Sequence, residues 1–114
     1  MSKLLRETQR QVCAIQSAAF DPPAAGTRVG IALQTMGQLP IHGVRLTPTE
    51  TTCGWYIYAG PDRSDDPDFY QPLCIEHLEE YCSPALPFLC LPPGWRFLTD
   101  GRGYTDVWFD ESVL

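Results

Sequence analysis

The run Cys53-Gly54-Trp55-Tyr56-Ile57-Tyr58-Ala59 constrains the fold more than any other stretch of the chain. Aromatic and β-branched side chains crowd it, and these fit a pleated surface better than a helix. Alternation sends Trp55, Ile57 and Ala59 to one side and Gly54, Tyr56 and Tyr58 to the other. Both sides are largely apolar, which predicts a strand inside a sheet rather than at its edge.

Candidate partners for that strand lie on either side of it. Residues 29–34 and 41–46 read as shorter strands, with Gly37 and Pro40 punctuating between them. Glycines inside both runs weaken them as strands. Residues 95–99 and 104–109 read as a strand pair closed by Asp100-Gly101-Arg102-Gly103. Residues 3–19 carry Leu5, Val12, Ile15 and Ala19 at helical spacing, and Asp21-Pro22-Pro23 ends that pattern. A second helix is expected near residues 72–82. Pro72 suits its first position, Asp68 lies just upstream, and Ser83-Pro84 stops it. Cys74, Ile75, Leu78, Tyr81 and Cys82 fall on one side of it, and Glu76, Glu79 and Glu80 on the other. Residues 85–94 form an apolar segment broken by prolines. The expected class is α+β: a small, mainly antiparallel sheet packed by an N-terminal helix and the second helix. A length of 114 residues suits one domain, 1–114, with the N-terminal helix inside 1–22.

Charge narrows the function classes. The net charge is −6, and it is unevenly placed. Residues 1–57 hold five basic and three acidic residues, whereas residues 58–114 hold three basic and eleven acidic ones. Such a surface repels phosphate backbones, so nucleic acid is not an expected partner. No apolar stretch is long enough to cross a bilayer, and the N-terminus has no apolar leader core. Asn is absent, so there is no N-glycosylation site. Five cysteines, an odd number without a secretion signal, argue against a disulfide framework. These features together predict a cytoplasmic protein with reduced thiols.

The chemical motifs are incomplete. Cys74 and His77 have a C-x-x-H spacing, with Cys82 and Cys90 following. A structural zinc site needs a second tight pair, which is missing, and buried cysteine is ordinarily core packing. Asp62, Ser64, Asp66 and Asp68 alternate like a calcium loop. Pro67 stands where that loop needs glycine, and Leu73 where it needs glutamate. No nucleophile motif is present, and Gly101-Arg102-Gly103 is too short for a phosphate loop. No catalytic residue, metal ligand or cofactor is therefore assigned. A small metal-dependent or cysteine-based module using Cys74, His77 and Cys82 is the alternative reading. A regulatory interaction domain docking through its first helix is another.

Aromatic residues beside carboxylates remain. In the last strand Thr105, Val107 and Phe109 would face inward, and Tyr104, Asp106, Trp108 and Asp110 would share the other side. Tyrosine and tryptophan supply desolvated contact area, and acids steer a basic partner. The expected contact face draws on Asp62, Asp65, Asp66, Asp68, Glu76, Glu79, Glu80, Asp106, Trp108 and Asp110.

Several blocks resemble one family. The first comprises residues 53–60, then Asp66-Pro67-Asp68-Phe69-Tyr70, Pro72-Leu73 and Glu76-His77-Leu78. The second comprises Leu91-Pro92-Pro93-Gly94-Trp95-Arg96-Phe97-Leu98 and Tyr104 with Asp106-Val107-Trp108-Phe109-Asp110. Over residues 53–111 the chain resembles the bacterial immunity protein 33-like group. The resemblance implies a small cytosolic protein that binds and neutralises a cognate toxin, and it brings no catalytic residue with it.

Overall fold

A computed structural model describes residues 2–114. Six strands make one sheet: β1 (Arg28–Ile31), β2 (Ile41–Arg45), β3 (Thr52–Ala59), β4 (Gln71–Cys74), β5 (Trp95–Thr99) and β6 (Thr105–Phe109). Their spatial order is β4-β1-β3-β2-β5-β6. Only β1 and β3 run parallel; the other four pairings are antiparallel. The expected α+β class, with its mainly antiparallel sheet, is the observed one. β3 lies inside the sheet, as its two apolar faces require.

One face of the sheet carries the core. Across it the register aligns Ile31, Ile57, Gly43, Phe97 and Val107. Gly43 sits there because a Cβ would strike the Phe97 ring, which lies across it and stacks on Phe88 at 4.5 Å. The interior glycine that weakens the strand as a sequence is what lets a large ring cross the layer. Cys13, Ile75, Leu78, Cys82, Ala85, Leu86, Phe88 and Leu89 close this face from above.

The covering layer is only partly helical. α1 (Lys3–Ile15) is N-capped by Ser2, whose hydroxyl accepts from the Leu5 amide at 3.1 Å. It stops four residues before the expected end. Ser17 takes a left-handed conformation (φ 54°), and the Ala18 amide donates back to the Cys13 carbonyl at 2.9 Å. The helix thus ends in its own C-terminal cap, upstream of the prolines. The cap also changes the expected apolar stripe. Gln9 and Cys13 are buried with Leu5 and Val12 beside them, whereas Ile15 is 79% exposed.

The expected helix over 72–82 is replaced by shorter pieces. Residues 71–74 become edge strand β4, because β1 has a free side that they complete. A 3₁₀ turn (Ile75–His77) and a single α-helical turn, α2 (Leu78–Tyr81), follow. Cys82 leaves helical geometry at φ −155°, and a proline-containing 3₁₀ segment, Ser83–Phe88, continues the layer. The expected sidedness holds for Ile75, Leu78 and Cys82, which are buried, and for the three glutamates, which are exposed. Cys74 is partly exposed and Tyr81 exposed, because the pieces do not share one helical axis.

Candidate functional site

The second face of the sheet has no helix on it. The register aligns Pro72, Gly30, Tyr56, Val44, Arg96 and Trp108 in one row across all six strands. Tyr58, His42, Leu98 and Asp106 form the next row. Tyr56, Tyr58, His42, Val44, Arg96 and Leu98 are all half-buried, and Trp108 is 37% exposed. Tyr56 leans over Gly30, where a Cβ would come within 2.6 Å of its ring.

Residues 60–70 fold back over this face. Phe69 packs on Tyr58 with ring centres 5.9 Å apart, and Tyr70 meets Tyr56 edge-on at 5.2 Å. The Gln34 side chain donates to the Phe69 carbonyl at 3.3 Å, and the Gln71 side chain donates to that of Asp68 at 2.7 Å. Within the loop the Asp68 amide donates to the Asp66 carboxylate at 2.9 Å. Asp62, Asp65, Asp66 and Asp68 all remain exposed.

The Tyr56–Tyr70 pair separates two clefts. One, of about 560 Å³, runs along Arg28, Gly30, Glu50 and Thr52. The other, of about 270 Å³, is walled by Val44, Leu46, Arg63, Arg96 and Val113. Burial pushes the Tyr70 phenol above its usual range, so it stays a neutral hydrogen-bonding group. His42 lies flat on Tyr58, with ring centres 4.3 Å apart, and its Nε2 is 3.1 Å from the Gly60 carbonyl. A carbonyl only accepts, so that nitrogen carries the proton. Desolvation lowers the His42 pKa, and the imidazole is held neutral.

Arg96 is the fixed cation of the face. Its guanidinium is 3.1 Å from the Asp110 carboxylate and 5.7 Å from the centre of the Trp108 indole. Asp110 is held below the ordinary carboxylate range by Ser112, with Arg96 as the next cause. The Arg96 Nε is buried without a hydrogen-bond partner. Among the described residues, the other ion pair is Arg45–Asp21 at 4.0 Å.

The ten expected contact residues divide into groups. Asp62, Asp65, Asp66 and Asp68 lie on the loop over the open face. Asp106 and Trp108 stand on β6, with Asp110 just after it. Glu76, Glu79 and Glu80 belong to the covering layer and line clefts with Arg6, Leu86 and Arg102. Glu76 accepts from the Gly26 amide and the Cys74 thiol, and the thiol bond is the main cause of its lowered pKa. The glutamates and Trp108 therefore lie on opposite layers, and β4 and β6 are the two edges of the sheet, about 24 Å apart at five inter-strand steps. Inward-facing Val107 packs against the core, but Thr105 and Phe109 are exposed because no layer extends over the last strand. Among the described residues no three His, Cys, Asp or Glu side chains converge as metal ligands. Cys82 is in the core, and burial pushes its thiol up to about 11. His77 is exposed on the turn before α2.

His42 and Arg63 belong to this face without any sequence motif marking them, and Arg96 lies in the second resembling block without a role assigned to it. The alternation of β3 does give its tyrosines to the second face, which is the one usable signal.

No helix among the described residues is long and apolar enough to cross a membrane. No curated protein and no solved structure shows significant similarity to the chain. The Imm33-like domain family matches residues 8–110, extending the resemblance of the second half through β1, β2 and most of α1. With nearly its whole length matched, the chain belongs to the Imm33-like domain family.

Proposed function

We propose that this protein is a cytoplasmic immunity protein that binds a cognate bacterial toxin and neutralises it by occlusion. Membership of the Imm33-like family supports a protein partner. The observation that carries the reading further is the sheet face that no helix covers and that the 60–70 loop covers only in part. Tyr56, Tyr58, Tyr70 and Trp108 offer rigid aromatic contact area there, and the loop aspartates, Asp106 and Asp110 rim it. Aromatic anchors within an acidic rim suit a basic partner surface. The contact face then comprises Asp62, Asp65, Asp66, Asp68, Asp106, Trp108 and Asp110 with the tyrosines, and Glu76, Glu79 and Glu80 lie outside it.

The test is co-expression with candidate toxin domains taken from the genes flanking this one. Rescue of growth and a complex with Kd below about 1 μM are expected. Trp108→Ala together with Asp106→Lys should weaken the complex by about 100-fold or more while the fold persists. Absence of both rescue and complex with the wild-type chain would refute the reading.

A further inference from the structure

The two edges of the sheet are unlike. At β4, the Ile75 amide donates to the Thr27 carbonyl, and alternation then turns Leu73 and Gln71 toward β1. Pro72 consequently faces outward, where it offers no N–H, and the strand is only four residues long. Proline and shortness are what natural sheets use to stop further pairing. At β6, the Asp110 amide donates to the Gly94 carbonyl and the Asp100 amide to the Tyr104 carbonyl. The same alternation turns the N–H and C=O groups of Thr105, Val107 and Phe109 away from β5. β6 has no proline and no lysine, and Tyr104, Trp108 and Phe109 are 53%, 37% and 49% exposed.

We propose that the partner adds a β-strand of its own to β6. The inference rests on the immunity reading above and specifies how the toxin docks. The added strand would take main-chain bonds from Thr105, Val107 and Phe109. Its side chain opposite Val107 lands on the core side, between exposed Phe109 and Thr105, and is apolar. Its side chains opposite Asp106 and Trp108 land on the open face. Asp106 has no ion-pair partner among the described residues, whereas Trp108 already carries Arg96 over its ring. The occupant is therefore an extended segment with a basic residue opposite Asp106, next to the apolar residue facing Val107. A second copy of this chain fits less well. Its β6 would bring a second unpaired Asp106 with no base on either strand, between chains of net charge −6.

Two measurements on the full chain with the candidate toxin domain of the co-expression test decide this. Hydrogen exchange of the unaltered complex should slow the Thr105, Val107 and Phe109 amides by about 100-fold or more, as expected for new main-chain bonds. Val107→Pro removes a donor that the fold does not use and should weaken binding by at least about 100-fold. Unchanged exchange at these three amides overturns strand addition while leaving a toxin-binding protein. No complex with the wild-type chain overturns both readings. A concentration-dependent dimer of the free chain that Val107→Pro dissolves would assign the edge to self-pairing instead.

Discussion

Arg45 is 1% exposed although its guanidinium is charged, and its hydrogen bonds join separate parts of the fold. Its Nε donates to the Cys53 carbonyl at 3.0 Å. Its Nη1 donates to the carbonyls of Asp21 at 2.6 Å, Leu91 at 2.9 Å and, more weakly, Leu89 at 3.5 Å. Those acceptors belong to β3, the linker after α1 and the segment before β5, so one guanidinium ties three pieces that have little regular structure between them. The cation is compensated by dipoles more than by a paired acid, since Asp21 keeps its carboxylate 4.0 Å away. Desolvation lowers the Arg45 pKa, yet arginine stays charged in any ordinary buffer. Arg45→Met would keep volume but leave the Cys53, Asp21 and Leu91 carbonyls without a donor. At about 1 kcal/mol or more per orphaned acceptor, the expected loss is about 3 kcal/mol. For a chain of this length that lowers Tm by about 10 °C or more, measured by thermal unfolding followed by circular dichroism. A variant as stable as the wild type would mean that apolar packing replaces the network at no loss, as happens at some buried ion pairs.

At the scale of elements, α1 is part of the core rather than an appendage. Gln9 donates to the Leu86 carbonyl at 2.8 Å and accepts from the Cys90 thiol at 3.3 Å, while Cys13 enters the main cluster. Beyond the helix, the Asp21 amide donates to the Cys90 carbonyl at 2.8 Å. Removing residues 2–22 therefore strips Arg45 of an acceptor and exposes the 3₁₀ layer. The shortened chain is expected to lose its sharp thermal transition. A fragment of residues 23–114 that still melts cooperatively would restore α1 as a docking arm. Which elements can be read directly from the sequence follows from where the physics is local. β3, β5 and β6 show in the sequence because alternation is a two-residue pattern with aromatic weight. β4 does not show, because Pro72 and the glutamates after it carry a helical signature. Residues 71–74 pair only because β1, more than forty residues earlier, has a vacant side. The end of α1 is hidden for a similar reason, since the left-handed Ser17 satisfies carbonyls that no sequence pattern marks. At the site, the tyrosines of β3 are legible from alternation. His42 and Arg63 reach the same face only through the pairing of β2 and the return of the loop, which are tertiary facts.

At the scale of the molecule, folding converts a charge asymmetry along the chain into one across layers. The second half holds eleven of the fourteen acids, and of these eleven only Asp110 is ion-paired among the described residues. The loop aspartates are exposed on the segment that folds back on the open face and Asp106 stands on β6, whereas Glu79 and Glu80 belong to the covering layer. The two groups can therefore be separated by experiment, though the glutamates lie between the loop aspartates and the β6 acids in sequence. If the open face meets a basic toxin, the loop acids act in the encounter, where long-range attraction sets the rate. Replacing Asp62, Asp65, Asp66 and Asp68 by Asn preserves side-chain acceptors and the loop turn while removing four charges. Association in stopped flow at about 0.02 M salt should slow by about tenfold or more, with dissociation changed far less. Glu79→Gln with Glu80→Gln removes two acids from the other layer and should slow association less than the loop variant does, because those charges lie farther from the contact. Raising ionic strength to about 0.5 M should erase most of the difference between wild type and the loop variant. Equal slowing by both variants would instead show that the attraction comes from net charge alone, with no preferred face.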